Sequence, residues 1–180
     1  MCNTDRVAEH PYARSHAWSD RQSPPWVEDG RVARRAPAAS TSVVRRRMQA
    51  TKQRNTNLEL RIRSLLHADG YRYYVDRSPE HGMRSRADLV FPRLRLAVYI
   101  DSCFWHCCPL HGTWPKANTR WWRDKLIGNA HRDLEVTRRL QQRGWSVLRI
   151  WEHEAPIDAL KAVTSAITSL RAQLGRSGPS

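Results

Sequence analysis

The stretch "ADLVFPRLRLAVYID", residues 87–101, decides the fold. It holds two short apolar runs, ADLVF (87–91) and RLAVYID (95–101). Runs of that length, rich in branched and aromatic side chains, read as strands. Pro92, Arg93 and Leu94 form a short turn between them, so the pair is predicted to be a hairpin. Its joined ends are at Pro92. At its open end lie two carboxylates, Asp88 and Asp101. Two facing carboxylates repel unless a cation sits between them.

Working outward, "TNLELRIRSLLHADG" (56–70) places Leu58, Ile62, Leu65 and Leu66 on one helical face. Thr56 and Glu59 have capping-box spacing, and Gly70 suits the stop. That spacing accounts for Glu59 without chemistry. "YRYYV" (71–75) reads as a further strand. Beyond the hairpin, Asn118 is a plausible cap for a long helix from about Thr119 to Gln142, closed by Gly144. "WSVLRIW" (145–151) reads as a strand, and residues 156–174 as an amphipathic helix opened by Pro156. The order helix, three strands, helix, strand, helix predicts an α/β fold, a mixed central sheet flanked by helices on both faces.

Residues 1–47 contain no Leu, Ile or Phe and are rich in Arg, Ala, Ser and Pro. Such a segment buries too little apolar surface to offset its ordering entropy. The predicted organisation is a disordered basic arm (1–47), a folded domain (48–174) and a flexible tail (175–180). The 180 residues carry 31 Lys+Arg against 17 Asp+Glu, a net charge of +14. Because the arginines run through the whole chain, a polyanion such as nucleic acid is the expected partner. No run approaches the ~18 apolar residues of a membrane span, and the first residues lack the apolar core of a secretory signal. Three of the four cysteines bunch at 103, 107 and 108, which suits a metal in a reducing cytoplasm better than a disulfide framework.

Cys103 and Cys108 are separated by four residues, and Cys108 and His111 by two. Thiolate and imidazole donors at these spacings suit tetrahedral zinc, which needs a fourth ligand in a closed site. His153, just past the last strand, is the best candidate, and Cys107 is left out of the set. The plainer alternative is buried reduced cysteines beside a solvated histidine.

Hard carboxylate donors such as Asp88 and Asp101 suit Mg²⁺. His106 follows five residues after Asp101 and can take a proton from an attacking water. On the long helix, Asn129 and Asp133 interrupt a stripe formed by Trp122, Leu126, Val136 and Leu140. Inward polar groups need partners, and a histidine is a natural one for Asp133; a nearby arginine is the other option.

The segments "MQATKQRNTNLELRIRSLL", "RADLVF", "DSCFWHCCPLHGTWPKAN", "WWRDKLIGNAHRD" and "GWSVLRIWEHE" together resemble the very-short-patch-repair, or Vsr-type, DNA mismatch endonucleases. The likeness runs in order from about Met48 to Glu154. It implies a restriction-endonuclease-like core with a structural zinc. It also implies cleavage of one DNA strand on the 5′ side of the thymine in a T:G mismatch. By position, Asp88 resembles the family's Mg²⁺-binding aspartate and His106 the histidine that activates water. Asp133 resembles the helix aspartate that supports a catalytic histidine, and Glu59 the glutamate of the first helix. Cys103, Cys108, His111 and His153 take the zinc positions. Phe104, Trp105 and Trp122 resemble the aromatics that wedge into the duplex. Lys116, Asn118, Asn129 and Arg132 fall in motifs expected to contact DNA.

Three positions depart from the family pattern. Ala87 stands where a proline is common, Ser102 replaces a common glycine, and Asp101 occupies a position where some members carry a second histidine. The last change leads to the expectation that Asp101 ligates the Mg²⁺ or lies beside it. The resemblance further implies a monomer acting on chromosomal DNA in a bacterial cytoplasm, alongside mismatch-repair proteins and a cytosine-5 methyltransferase. The rival readings are a restriction- or defence-type endonuclease of the same fold without mismatch preference, and a zinc-stabilised DNA-binding module without catalysis.

Overall fold

The computed structural model describes residues 42, 46 and 56–176. The rest of the predicted arm, the expected start of order near Met48 and residues 177–180 lie outside the described residues. Among the described residues the elements follow in the order α1 (Asn57–Ala68), β1 (Tyr74–Arg77), β2 (Ala87–Phe91), a 3₁₀ turn (Pro92–Leu94), β3 (Leu96–Asp101), α2 (Thr119–Gln142), β4 (Ser146–Trp151) and α3 (Pro156–Arg176). The chain divides into two compact units. Among the described residues, one comprises 42, 46 and 103–134 and the other 56–102 with 135–176.

The larger unit is built on one mixed sheet of order β1-β2-β3-β4. β1 and β2 pair antiparallel, with Tyr74 opposite Val90. β2 and β3 pair antiparallel, with Leu89 opposite Val98 and Phe91 opposite Leu96. β3 and β4 run parallel, with Tyr99 opposite Arg149 and Asp101 opposite Trp151. A parallel pair needs a crossover, and the chain from 102 to 145 supplies it. The α/β class expected from the sequence is therefore the class observed.

Alternation along the strands divides the sheet's side chains between two cores. Leu89, Phe91, Leu96, Val98 and Ile150 pack with Leu58, Ile62 and Leu66 of α1 and with Ala159, Val163 and Ile167 of α3. Val90, Ala97, Tyr99 and Val147 pack with Leu140 of α2 and with Trp145. Leu89, Leu96 and Ile150 are sealed from solvent, and truncating any one of them to Ala would cost roughly 2–5 kcal/mol.

Local details refine the expected elements. Thr56 caps α1, its hydroxyl accepting from the Glu59 N–H at 3.3 Å. The buried stripe of α1 is Leu58, Glu59, Ile62 and Leu66, whereas Leu65 is exposed. The strand expected at 71–75 is displaced to Tyr74–Arg77. Tyr71 and Tyr73 pack against the core instead, and the Tyr73 hydroxyl donates to the Arg63 carbonyl at 2.7 Å. After the 3₁₀ turn, Arg95 adopts a left-handed φ of 48°. That conformation is unfavourable for a residue with a Cβ. It is held by three contacts of the guanidinium: Glu80 at 2.9 Å, the Arg143 carbonyl at 2.5 Å, and the face of Trp145 at 5.4 Å. α3 continues two residues past the expected end, to Arg176. Among the described residues, no helix is long and apolar enough to cross a membrane.

Candidate active site and metal-ligand cluster

In the larger unit, Asp88 and Asp101 lie at the same end of the β2–β3 hairpin, away from the Pro92 turn, as the register requires. The Ile100 N–H donates to Oδ2 of Asp88 at 2.6 Å. Burial pushes the Asp88 carboxyl up to about 6; the Ile100 hydrogen bond opposes the shift, and the negative charges of Glu59, Asp101 and Asp76 add to it. A half-buried carboxylate in the field of three others is an environment that a cation would relieve. The donor set at Asp88 thus fits a hard divalent ion.

Glu59 is buried at 5% exposure, and its carboxylate accepts from Arg63 one helical turn on, at 3.3 Å. Asp101, 3% exposed, is paired with Arg149 of β4. Arg149 donates to both of its oxygens, Nε to Oδ2 at 2.6 Å and Nη2 to Oδ1 at 2.7 Å. The Arg149 guanidinium also lies 4.9 Å from the centre of the Tyr99 ring. His153 is exposed on the turn after β4, its ring stacked on Trp151 with centroids 6.3 Å apart.

The smaller unit holds the Cys/His segment and the first part of α2. Cys103, Cys108 and His111 each offer one ligand atom, and these atoms lie within 4.8 Å of one another. Two backbone bonds shape the segment: the Cys108 N–H donates to the Cys103 carbonyl at 2.9 Å, and the Gly112 N–H to the Cys108 carbonyl at 2.8 Å. A Cβ on Gly112 would stand 2.4 Å from the Cys108 carbonyl oxygen, so only glycine fits there. Soft thiolates with imidazole are the donors zinc takes. Cys107 lies outside this group. It is buried with Trp122 and Leu126, with Phe104, Trp105 and Trp121 packed against them.

Phe104, Trp105 and Trp122 form a cluster in that unit. Phe104 meets Trp105 and Trp122 edge-on at centroid distances of 5.0 and 5.5 Å. Trp122 is the buried base; Phe104 and Trp105 are half-buried. His106 follows directly. Its Nδ1 is 2.6 Å from Oδ2 of Asp133. Asn129, one turn earlier on α2, donates to the Trp105 carbonyl at 3.2 Å and accepts from Arg132 at 3.1 Å. The two polar residues that interrupt the α2 stripe thus tie the His106 segment to the helix. Lys116 is exposed, and Asn118 has a φ of 53° with its carbonyl accepting the Trp122 N–H at 3.1 Å. A carboxylate on one ring nitrogen of a histidine orients the ring and raises the basicity of the other nitrogen, the arrangement of a general base.

A family model described as "DNA mismatch endonuclease Vsr" matches residues 40–110. The chain is 41% identical over 136 residues to the type II nicking enzyme V.NaeI of Lentzea aerocolonigenes, covering 74% of this chain and 82% of that protein. It is 37% identical over 118 residues to the type II nicking enzyme V.XorIIP of Xanthomonas oryzae pv. oryzae, covering 64% and 84%. It is 35% identical over 107 residues to the DNA mismatch endonuclease Vsr of Escherichia coli, covering 58% and 66%. The protein is an endodeoxyribonuclease. It belongs to the Vsr family.

Proposed function

We propose that the protein is a Mg²⁺-dependent nicking endonuclease that cuts one strand of duplex DNA on the 5′ side of the thymine in a T:G mismatch, in very short patch mismatch repair. The observation that carries this reading is the His106–Asp133 pair at 2.6 Å within a segment that resembles the mismatch endonucleases. Asp88, whose carboxyl is pushed up to about 6 by burial and neighbouring carboxylates, is the residue to hold the cation. When bound, Mg²⁺ supplies charge stabilisation at the scissile phosphate. His106 takes the proton from the attacking water, and Asp133 fixes its ring and balances the imidazolium that results. Glu59 adds a further buried carboxylate whose charge acts on Asp88.

Cys103, Cys108 and His111 hold a structural zinc, and the family resemblance supplies His153 as its fourth donor. Zinc binding stiffens the segment that carries Phe104, Trp105 and His106. Stiffness matters because a reacting group misplaced by ~1 Å loses about a hundredfold in rate. The aromatic cluster wedges beside the mismatch. Unstacking costs a few kcal/mol and costs less at a mismatch, which is a source of selectivity. Lys116, Asn118, Asn129 and Arg132 contact the DNA, and the excess of arginine gives salt-sensitive affinity. The enzyme works as a monomer in the bacterial cytoplasm, downstream of a cytosine-5 methyltransferase and together with mismatch-repair proteins.

Two of the relatives are named as nicking enzymes without mention of a mismatch. The second reading, a nicking or restriction-associated nuclease without mismatch preference, has that observation in its favour. Asp88→Ala and His106→Ala test the active-site assignment that both readings share. Each is expected to bind duplex DNA as the native chain does and to lose nicking; full nicking by either variant would refute the assignment.

A further inference from the structure

Asp101 and Arg149 are two charged side chains only 4% and 12% exposed, joined by two parallel hydrogen bonds. A buried ion pair is poor value for stability, because well-packed apolar residues of similar volume often do as well or better. The surroundings point to another role. Arg149 stands opposite Tyr99 in the β3–β4 ladder, and its guanidinium lies against the Tyr99 ring. The next residue of β3, Ile100, donates to Asp88 on β2. Asp88, Tyr99 with Ile100, and Arg149 therefore lie level with one another on three adjacent strands. Adjacent strands are about 5 Å apart, so roughly 10 Å separates the outer two backbones. The Arg149 guanidinium lies over the middle strand of the three, against Tyr99 and Asp101.

We propose that Asp101 is a positioning residue and not a metal ligand: with both oxygens committed to Arg149, it fixes a permanent positive charge level with Asp88, and that charge faces the phosphate undergoing cleavage. Arginine suits this task because its planar fork takes a carboxylate by two parallel bonds and it keeps its charge at every working pH. A preorganised cation in a partly dry site stabilises developing negative charge without reorganisation at the moment of reaction. The inference rests on the active-site reading above, in which Asp88 holds Mg²⁺.

The test uses the full chain with Asp101→Asn, Arg149→Gln and the double variant carrying both, which swaps the ion pair for two neutral amides. All are checked by thermal melting and assayed for nicking across a Mg²⁺ titration. The expected result is a fall in kcat of about 10–100-fold in both single variants. The double variant, melting close to the native chain, is expected to be no slower than the slower single one and no faster than the faster one. KM for DNA and the Mg²⁺ concentration for half-maximal nicking should stay within about twofold of native. Two results overturn the proposal. A tenfold rise in the Mg²⁺ requirement of Asp101→Asn would make Asp101 a ligand of the ion. Native kcat in the double variant would make the pair structural only. If a single variant fails to fold, the double variant and its Mg²⁺ titration decide alone. Failure of the underlying reading shows differently, as an Asp88→Ala chain that still nicks.

Discussion

Nδ1 of His106 lies 2.6 Å from Oδ2 of Asp133, joining the end of the aromatic segment to the middle of α2 across 27 residues of sequence. The pair is 28% and 15% exposed, so the ring is fixed and still reachable. In the proposed reaction the other ring nitrogen, Nε2, is the one that takes the proton. Asp133→Asn keeps the shape and removes the charge that holds the tautomer. We expect kcat for nicking to fall by roughly 10²–10⁴, as when the orienting acid of a catalytic triad is neutralised. Binding to duplex DNA and the melting temperature should change little. Nicking by this variant at the native rate would contradict the role given to the pair.

The raised carboxyl of Asp88 carries a pH signature. Its folded value of about 6 exceeds the ordinary 3.8, so ionisation disfavours the folded state. The cost is absent below about pH 4, grows as pH rises from there to about 6, and is constant above. Without divalent ions, Asp88→Asn should therefore melt some 2–6 °C above the native chain at pH 7.5, with the gap closing by pH 4. Added Mg²⁺ should raise the melting temperature of the native chain and leave that of the variant unchanged. Identical melting of the two chains at both pH values would remove the basis for a strained carboxylate.

Cys108 offers a sulfur to the proposed zinc site, and its carbonyl accepts the Gly112 N–H. Cys108→Ser should lower the zinc-to-protein ratio and the melting temperature together. An unchanged ratio by elemental analysis would count against the zinc site.

Two glycines of the smaller unit should respond in opposite directions to the same substitution. Gly112→Ala drives a methyl group into the Cys108 carbonyl, 2.4 Å away, and should reduce zinc content and stability. Gly128→Ala, in the middle of α2 with nothing within 4 Å of the new Cβ, should stabilise by about 0.5–1 kcal/mol. Thermal melts of the two variants, with metal analysis of the first, check both signs.

Much of this was legible in the sequence because the signals are local or periodic. β2 falls on Ala87–Phe91 and α2 on Thr119–Gln142, as an apolar run and an interrupted helical stripe predict. The His106–Asp133 pair was within reach because a carboxylate on an apolar stripe needs a partner. β1 was misplaced because Tyr71, Tyr73 and Tyr74 have equal strand propensity. Only the pairing of Tyr74 with Val90 shows which of them enters the ladder. Leu65 fits a helical stripe by spacing, yet the groove against α3 accepts only the narrower row of Leu58, Ile62 and Leu66. Arg149 escaped notice because its partner is 48 residues away and the strand register alone brings them together. An arginine inside an apolar strand was the available signal, since a buried charge requires a partner.

The central claim is strand-selective cleavage at a mismatch, and one assay meets it directly. Two labelled duplexes differing only in a T:G against a T:A pair are incubated with the native chain, with Mg²⁺ and with EDTA. The account predicts a single nick on the 5′ side of the thymine in the T:G duplex with Mg²⁺, little cleavage of the T:A duplex and none in EDTA. Equal nicking of both duplexes, or nicking that persists in EDTA, would contradict it.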